Sequence, residues 1–201
     1  FFVFPVKMIS FLFFLCYTKT VTEGTQQKEG DSPLNRALGS KVDLRNFNID
    51  IARLYWECVG DIMDHEKIQK LDQWEQHNHT SRLQHSLNVS YYSFLICLKL
   101  GWDYRSAARA GLLLDLYFYD WRTKKGLRKN HALWHPLVAA DNAKKICDLN
   151  PVEEDCIIKH MWPCTFVPPR YKEGFVITFV DKICATCEVF AKDEPKVARA
   201  Q

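Results

Sequence analysis

Residues 107–121 read AARAGLLLDLYFYDW, and this alanine- and leucine-rich stretch predicts a helix that begins at Asp103 or Ser106. Apolar side chains flank Asp115 on every side of that helix, so we expect its carboxylate in low-dielectric surroundings. A buried carboxylate is stable only when it is paired, hydrogen-bonded or bound to a cation. The stretch therefore predicts a buried helix whose central acid needs a partner from elsewhere in the chain.

Helical patterns continue on both sides of this stretch, separated by short polar breaks. Nowhere does the sequence show the regular apolar and polar alternation of a strand. We therefore predict the all-α fold class. The predicted helices run from about Ile49 to Met63, from an N-cap at Thr80 or Ser81 to Gly101, from Asp103 or Ser106 through Trp121, from His135 and Pro136 onward, from Asn150 to about Met161, and through GFVITFVDKICATCEVF at residues 174–190.

The length of 201 residues fits one domain with a tail. Residues 18–40 are polar and lack a periodic apolar pattern, which is typical of a linker or a disordered tail. We therefore predict an apolar stretch and linker over residues 1–40, a helical domain over residues 41–192 and a polar tail over residues 193–201.

The N-terminal stretch FFVFPVKMISFLFFLCY resembles part of a signal peptide or membrane anchor, but Pro5 and Lys7 interrupt it. Its uninterrupted apolar run is about ten residues, against the roughly 20 that a membrane span needs. We expect no stable membrane insertion. A net charge of +3 is too small to argue for nucleic-acid binding. The eight cysteines lie in apolar surroundings, which favours reduced thiols and a cytoplasmic protein.

Further candidates for chemistry lie at or near the ends of the predicted helices. Asp181 repeats the situation of Asp115 in an apolar helix, and two such aspartates indicate one shared cation. Neutral imidazoles with carboxylates form the ligand set expected for Mn, Fe, Co, Ni or Zn. The candidate imidazoles belong to His85, His135 and His160.

Each of these residues has a simpler interpretation, because a single buried His or Asp is more often a hydrogen-bonded structural residue than a ligand. The full set favours a site. His65, His77 and His79 lie in polar sequence and are expected to be solvated, although His77 and His79 precede a helix closely enough to line a site. The Cys184 and Cys187 pair has the spacing of two core positions.

The basic segment YDWRTKKGLRK at residues 119–129 follows Asp115 closely. Arg122 and Lys125 are our candidates for contact with a phosphate. His131, which is four residues before His135 and can share its helical face, is the third candidate for substrate binding. The alternative for this segment is a solvated charged loop.

Five segments occur in a characteristic order: HSLNV, AARAGLLLDLYFYDWR, HPLVAADNA, IIKHMWP and VITFVDK. This order resembles the bacterial HD-domain phosphohydrolases, over about residues 49–190. That superfamily has a first His, an adjacent His-Asp pair, often two further His, and a late Asp. Leu114 stands where the His of the pair is expected. The other positions are occupied by His85, Asp115, His135, His160 and Asp181.

The resemblance implies a bundle of about six or more helices with one or two divalent metals (Mn, Fe, Co, Ni, Mg or Zn). It implies a metal-activated hydroxide that hydrolyses a nucleotide or another small phosphate ester. Asp115 would bridge two metals, with His85 and Asp181 on the first and His135 and His160 on the second. Asp115, His135 and His160 would be catalytic.

Leu114 cannot coordinate a metal, so the first metal would lose one protein ligand, and activity would fall or be lost. The alternative function is therefore a non-catalytic HD domain that binds a nucleotide or a protein partner. A weaker third hypothesis, a membrane-tethered sensor, depends on the first 17 residues alone.

Overall fold

The computed structural model describes residues 35–77, 80–122 and 130–190. This part of the chain is mostly helical, as the sequence predicted. A short 3-10 turn covers Lys70–Gln73. The α-helices are α1 (Asp50–Met63), α2 (Glu66–Gln69), α3 (Arg82–Leu100), α4 (Tyr104–Leu113), α5 (His131–Ala143), α6 (Pro151–Lys159) and α7 (Lys172–Phe190).

A small hairpin, which the sequence analysis did not predict, precedes α3. Strand β1 (Glu75–His77) pairs antiparallel with strand β2 (Thr80–Ser81), and Glu75 lies opposite Ser81. Strands of two and three residues are too short to show an alternating pattern, which explains why the sequence did not predict the hairpin. The hairpin places Gln76 and His77 beside the first turn of α3, close to His85.

Helix α3 is the centre of the fold and packs against both α4 and α7. Ser81 caps its N-terminus by accepting a hydrogen bond from the amide of Gln84, and Gly101 ends it with a φ of 66°. Its buried face includes polar residues as well as apolar ones, among them His85 and Asn88. The central helix therefore brings hydrogen-bonding groups into the interior, where each needs a partner.

Helices α3 and α4 approach closely where Gly111 meets Ser90. A Cβ atom on Gly111 would lie 2.7 Å from the Ser90 Cα and 2.9 Å from the Ser90 nitrogen. The Ser90 hydroxyl donates a hydrogen bond of 2.6 Å to the Ala108 carbonyl, which joins the two helices at the same level. Only a residue without a side chain fits here.

Replacing Gly111 with alanine is expected to lower the free energy of unfolding by about 3 kcal/mol, because backbone atoms cannot move aside as a side chain can. Urea denaturation measures the change. Gly60→Ala is the matched control, since its new Cβ would meet the partly exposed Trp56 side chain instead. We expect the free energy of unfolding of Gly60→Ala to fall by less than about 1 kcal/mol. Equal losses in both variants would contradict a backbone clash at Gly111.

Helix α4 ends at Leu113, whereas the sequence predicted a helix through Trp121. After Leu113 the chain makes a turn in which the Tyr117 amide donates to the Asp115 carbonyl. Side chains from other elements then take the next carbonyls: Asn142 donates to that of Leu116, and Arg82 to that of Tyr117. These tertiary hydrogen bonds compete with helix continuation, so Asp115 lies in a turn and not in mid-helix.

Helix α5 begins at His131, four residues before the predicted start at His135. The prediction rested on the preference of proline for the first turn, but Pro136 is the sixth residue of this helix. A proline there removes one intrahelical hydrogen bond. The longer helix puts His131 and His135 one turn apart on the same face.

The chain before the predicted domain start at Lys41 already packs on the helices. Ala37 is only 2% exposed, the Leu38 amide donates to Asn88 Oδ1, and the Tyr92 hydroxyl donates to the Leu38 carbonyl. Residues 35–40 therefore belong to the folded unit. Among the residues that the structure describes, no helix has the length and apolar character that a membrane crossing requires.

Six of the cysteines that the structure describes follow the prediction of reduced thiols. Cys187 is disulfide-bonded, contrary to that expectation. Free thiols are found at Cys58, Cys97, Cys147, Cys156, Cys164 and Cys184.

Candidate metal centre

The five ligand positions predicted from the sequence lie on five different structural elements and meet in the interior. His85 is in the first turn of α3, Asp115 follows α4, and His135 is in the second turn of α5. Helix α6 begins with a capping box of Asn150 and Glu153, and His160 is its C-cap residue. Asp181 is in the middle of α7. All five are buried, with exposures between 0% for His85 and 9% for Asp181.

His135 and His160 face each other through their Nε2 atoms, which are 2.9 Å apart. His135 Nδ1 lies 2.8 Å from the His131 carbonyl oxygen, and His160 Nδ1 lies 2.7 Å from that of Ile157. A backbone carbonyl can only accept, so each Nδ1 carries the ring proton. In both neutral rings, the Nε2 lone pair therefore points toward the other ring.

Burial keeps these rings neutral. It lowers the pKa of both His135 and His160 to about 4, and for His160 the neighbouring His135 lowers it further. Asp115 Oδ1 lies 3.3 Å from His135 Nε2, and this buried oxygen has no hydrogen-bond partner among the described residues. Two lone pairs and an anionic oxygen thus converge without a donor, and a cation fits that arrangement.

The second oxygen of Asp115 is held from the other side by Gln76. Gln76 Nε2 donates a hydrogen bond of 2.5 Å to Asp115 Oδ2. The Gln76 Oε1 atom accepts from Arg82 Nε at 2.9 Å and from the Tyr117 hydroxyl at 3.1 Å, which fixes the orientation of the amide. The buried Arg82 also lies 3.6 Å from the centre of the Tyr117 ring.

His85 lies among carboxylates. Its Nε2 atom is 3.1 Å from Asp181 Oδ1 and 3.8 Å from Asp115 Oδ2, while its Nδ1 atom is 2.8 Å from Glu188 Oε2. Burial alone would lower the pKa of His85, but Glu188 and Asp181 outweigh it and raise the pKa well above its usual value. Burial alone would raise the pKa of Asp181, but His85 holds it well below its usual range.

Two groups of three residues in the described chain have ligand atoms that all lie within 4.8 Å of one another. One is Asp115, His135 and His160, the set expected for the second metal. The other is His77, His85 and Glu188, and not the expected first-metal set of His85, Asp115 and Asp181. His77 is half-buried against the His85 ring, with ring centres 5.1 Å apart, so the expectation of a solvated His77 was wrong.

Leu114, which stands where the resemblance to HD phosphohydrolases leads us to expect a histidine, is fully buried and belongs to the hydrophobic core. It follows Leu113, the last residue of α4, and immediately precedes Asp115. Its side chain supplies packing and no ligand atom.

The three candidate substrate contacts have different surroundings. His131 is stacked between Trp121 and His135, with ring centres 5.2 Å and 4.4 Å away, and burial lowers its pKa to about 4. Arg122 is exposed, donates to the Glu75 carbonyl and lies 3.4 Å from Asp120 Oδ1. Lys125 lies outside the described residues.

Two further residues at this site, Gln76 and Glu188, were missed from the sequence. Gln76 lies in a polar run that shows no periodic pattern. Glu188 had a usable signal, because it is seven residues after Asp181 in the same helix and therefore on the same face. Comparison with family models, with curated proteins and with solved structures found no match to this chain.

Proposed function

We propose that this chain is a metal-dependent phosphohydrolase of the HD type, with a divalent cation held by Asp115, His135 and His160. The observation that supports it is the convergence of two Nε2 lone pairs and one unpartnered carboxylate oxygen in a buried position. The substrate class, a nucleotide or another small phosphate ester, follows from the resemblance of the five sequence segments to HD phosphohydrolases.

The role of Asp115 as a bridge is supported by the different directions of its two oxygens. Oδ1 is the oxygen near His135, and Oδ2 is the oxygen near His85. A carboxylate placed in this way can serve two cation positions, one on the His135 and His160 side and one on the His85 and Asp181 side. Gln76 holds the carboxylate in that orientation through its hydrogen bond to Oδ2.

When bound, a divalent metal lowers the pKa of water and stabilises negative charge on phosphoryl oxygens. The protein's part is to present ligands that need no rearrangement. The carbonyls of His131 and Ile157 hold the proton of each imidazole on Nδ1, so that Nε2 is free to bind. Burial keeps bulk water away from these ligand atoms.

A non-catalytic domain that binds metal is the second candidate, and Leu114 favours it. The side chain at the position of the pair's histidine is fully buried in the core. A site with one protein ligand fewer binds metal more weakly and changes the acidity of bound water. Metal binding without turnover would distinguish this candidate from the enzyme.

The test is to strip the purified protein with a chelator, add back Mn, Co, Ni or Zn, and count ions per chain by mass spectrometry. The same samples are assayed with nucleotides and with p-nitrophenyl phosphate. We expect at least one ion per chain and metal-dependent release of phosphate. His160→Asn is expected to lose both.

His65→Asn is the matched control, because His65 caps α2 by accepting from the Lys67 amide and asparagine retains that role. It is expected to keep the metal and the activity. Wild-type protein that binds no metal would contradict the proposed function entirely. Metal without hydrolysis of any phosphate ester would indicate the binding domain.

A further inference from the structure

Glu188, near the C-terminal end of α7, is a buried carboxylate to which the proposed function assigns no role. It is 1% exposed. An ionised carboxylate in such a position is costly unless both oxygens have hydrogen-bond donors. Glu188 has them: Oε1 accepts from Asn88 Nδ2 at 2.7 Å, and Oε2 is 2.8 Å from His85 Nδ1.

The orientation of Asn88 is itself determined by its other contacts. Asn88 Oδ1 accepts from the Leu38 amide and from Gln84 Nε2, each at 2.8 Å. The amide nitrogen of Asn88 must therefore be the group that faces Glu188. A chain of hydrogen bonds that runs from the Leu38 amide through Asn88 therefore holds Glu188 in one position.

This arrangement determines which nitrogen of His85 is available. With Nδ1 donating to Glu188, Nε2 is directed toward Asp181 and Asp115, at 3.1 Å and 3.8 Å. The Nδ1 atoms of His135 and His160 are anchored by backbone carbonyls, whereas that of His85 is anchored by an anion. A carboxylate in this position fixes the tautomer of a metal-binding histidine and makes it a stronger ligand.

We propose that Glu188 is a positioning residue, which holds the proton of His85 on Nδ1 and thereby directs Nε2 to the cation position beside Asp181. This inference rests on the proposed metal site, but it does not depend on the reaction. The competing assignment makes Glu188 a direct ligand together with His77 and His85, whose ligand atoms lie within 4.8 Å. We favour positioning because both Glu188 oxygens already accept hydrogen bonds.

The experiment measures zinc affinity by calorimetry and the His85 side-chain signals by nitrogen-15 NMR in the zinc-loaded full chain. Glu188→Ala is expected to weaken zinc binding about 10- to 100-fold, and to remove the signature of a protonated Nδ1 with a metal-bound Nε2. In the double variant Asn88→Asp with Glu188→Gln, the glutamine oxygen can accept from His85 while its amide donates to the new carboxylate on α3. This double variant is expected to restore most of the affinity and the Nδ1 signal.

Glu173→Gln is the matched control, since Glu173 is a buried acid of the same helix and accepts from the Asp103 amide. It should bind zinc as the wild type does. Unchanged affinity and unchanged His85 signals in Glu188→Ala would overturn the proposal and leave the proposed function standing. An equal loss of affinity in His77→Gln would show that Glu188 is a ligand with His77, which also overturns it. Absence of zinc from wild-type protein would overturn both.

Discussion

Replacing Asp115 with asparagine is expected to reduce sharply the stabilisation of the protein by divalent metal while stabilising the metal-free form. The loss should exceed about 100-fold in metal affinity, since removal of a partner outside the ligand set already costs about 10- to 100-fold. Hydrolysis should fall with it. The two oxygens of Asp115 face the two candidate cation positions, Oδ1 on the His135 side and Oδ2 on the His85 side.

In the metal-free protein, the same substitution is expected to raise the free energy of unfolding. Asparagine can keep an oxygen toward Gln76 and direct its amide nitrogen to the position of Oδ1, 3.3 Å from His135 Nε2. The unpartnered anionic oxygen is then replaced by a donor that faces a lone pair. An unsatisfied buried group costs about 1–3 kcal/mol, so we expect a gain of that size in chelator-treated protein.

Thermal unfolding with chelator and with saturating metal measures both effects in one titration. Wild-type protein should gain about 4 kcal/mol at a metal concentration about 1,000 times its Kd, and Asp115→Asn should gain less than about 1.5 kcal/mol at the same concentration. Asp64→Asn is the control, because Asp64 pairs with Arg45 at the exposed surface and should leave the metal response intact. A full metal response in Asp115→Asn would exclude Asp115 as a ligand.

Mild acid is expected to destabilise the metal-free protein strongly, and His135 with His160 is the cause. A histidine in the unfolded chain has a pKa of about 6.5, whereas the pKa of each of these buried rings is about 4. Between these values the unfolded chain binds more protons, so the free energy of unfolding falls as the pH falls. The shift corresponds to about 3 kcal/mol for each ring, and the stabilisation is fully present above about pH 6.5.

His131, whose pKa burial also lowers to about 4, and His77, whose pKa burial lowers, contribute to the loss of stability in the same direction as the pH falls. His85 and Asp181 act outside this window. The pKa of His85 is raised, so its stabilising contribution is complete below about pH 6.5 and is lost as the pH rises through its folded value. The pKa of Asp181 is lowered, so its contribution is lost only as the pH falls below its ordinary value of 3.8. The loss between about pH 6.5 and pH 4 therefore reports on the neutral imidazoles.

Urea denaturation in chelator at about pH 7, 5.5 and 4.5 measures this loss across the window in which the two rings titrate. In His160→Asn one of the buried, neutral imidazoles is gone, so the decline should be shallower than in the wild type, with the rings of His135, His131 and His77 accounting for the rest. A constant free energy of unfolding between about pH 7 and pH 5 in wild-type protein would contradict the assignment of buried, neutral rings.

The helices were predictable to the extent that local patterns determine them. The N-cap at Ser81 with Gly101 at the other end, and the capping box that begins α6, operate within a few residues and correctly predicted α3 and the start of α6. The predicted end of α4 and the predicted start of α5 were wrong. The end of α4 depends on partners far along the chain, such as Asn142 and Arg82, whose positions no local pattern encodes. The start of α5 was misplaced because Pro136 is the sixth residue of that helix and does not lie in its first turn.

The residues of the candidate site were likewise predictable only where a pattern in the sequence marks them. An acid or imidazole in apolar sequence is visible from composition, and all five such residues meet in the interior. Gln76 was missed as a site residue because a polar residue in a polar run carries no signal, and His77 was named only as an alternative to a solvated side chain. The hairpin that places them beside His85 is too short to detect. Glu188 was overlooked although its spacing from Asp181 in an apolar helix was readable.

The distribution of the site over five elements has a consequence for the order of events during synthesis. His85 and Glu188 are 103 residues apart, and α7, which carries Asp181 and Glu188, is made after every other helix described. A ribosome-bound chain that has reached only His160 holds the imidazole pair without its later carboxylates. Occupancy of the proposed cation position beside Asp181 would therefore follow translation of α7, whereas the ligands Asp115, His135 and His160 are all made before it.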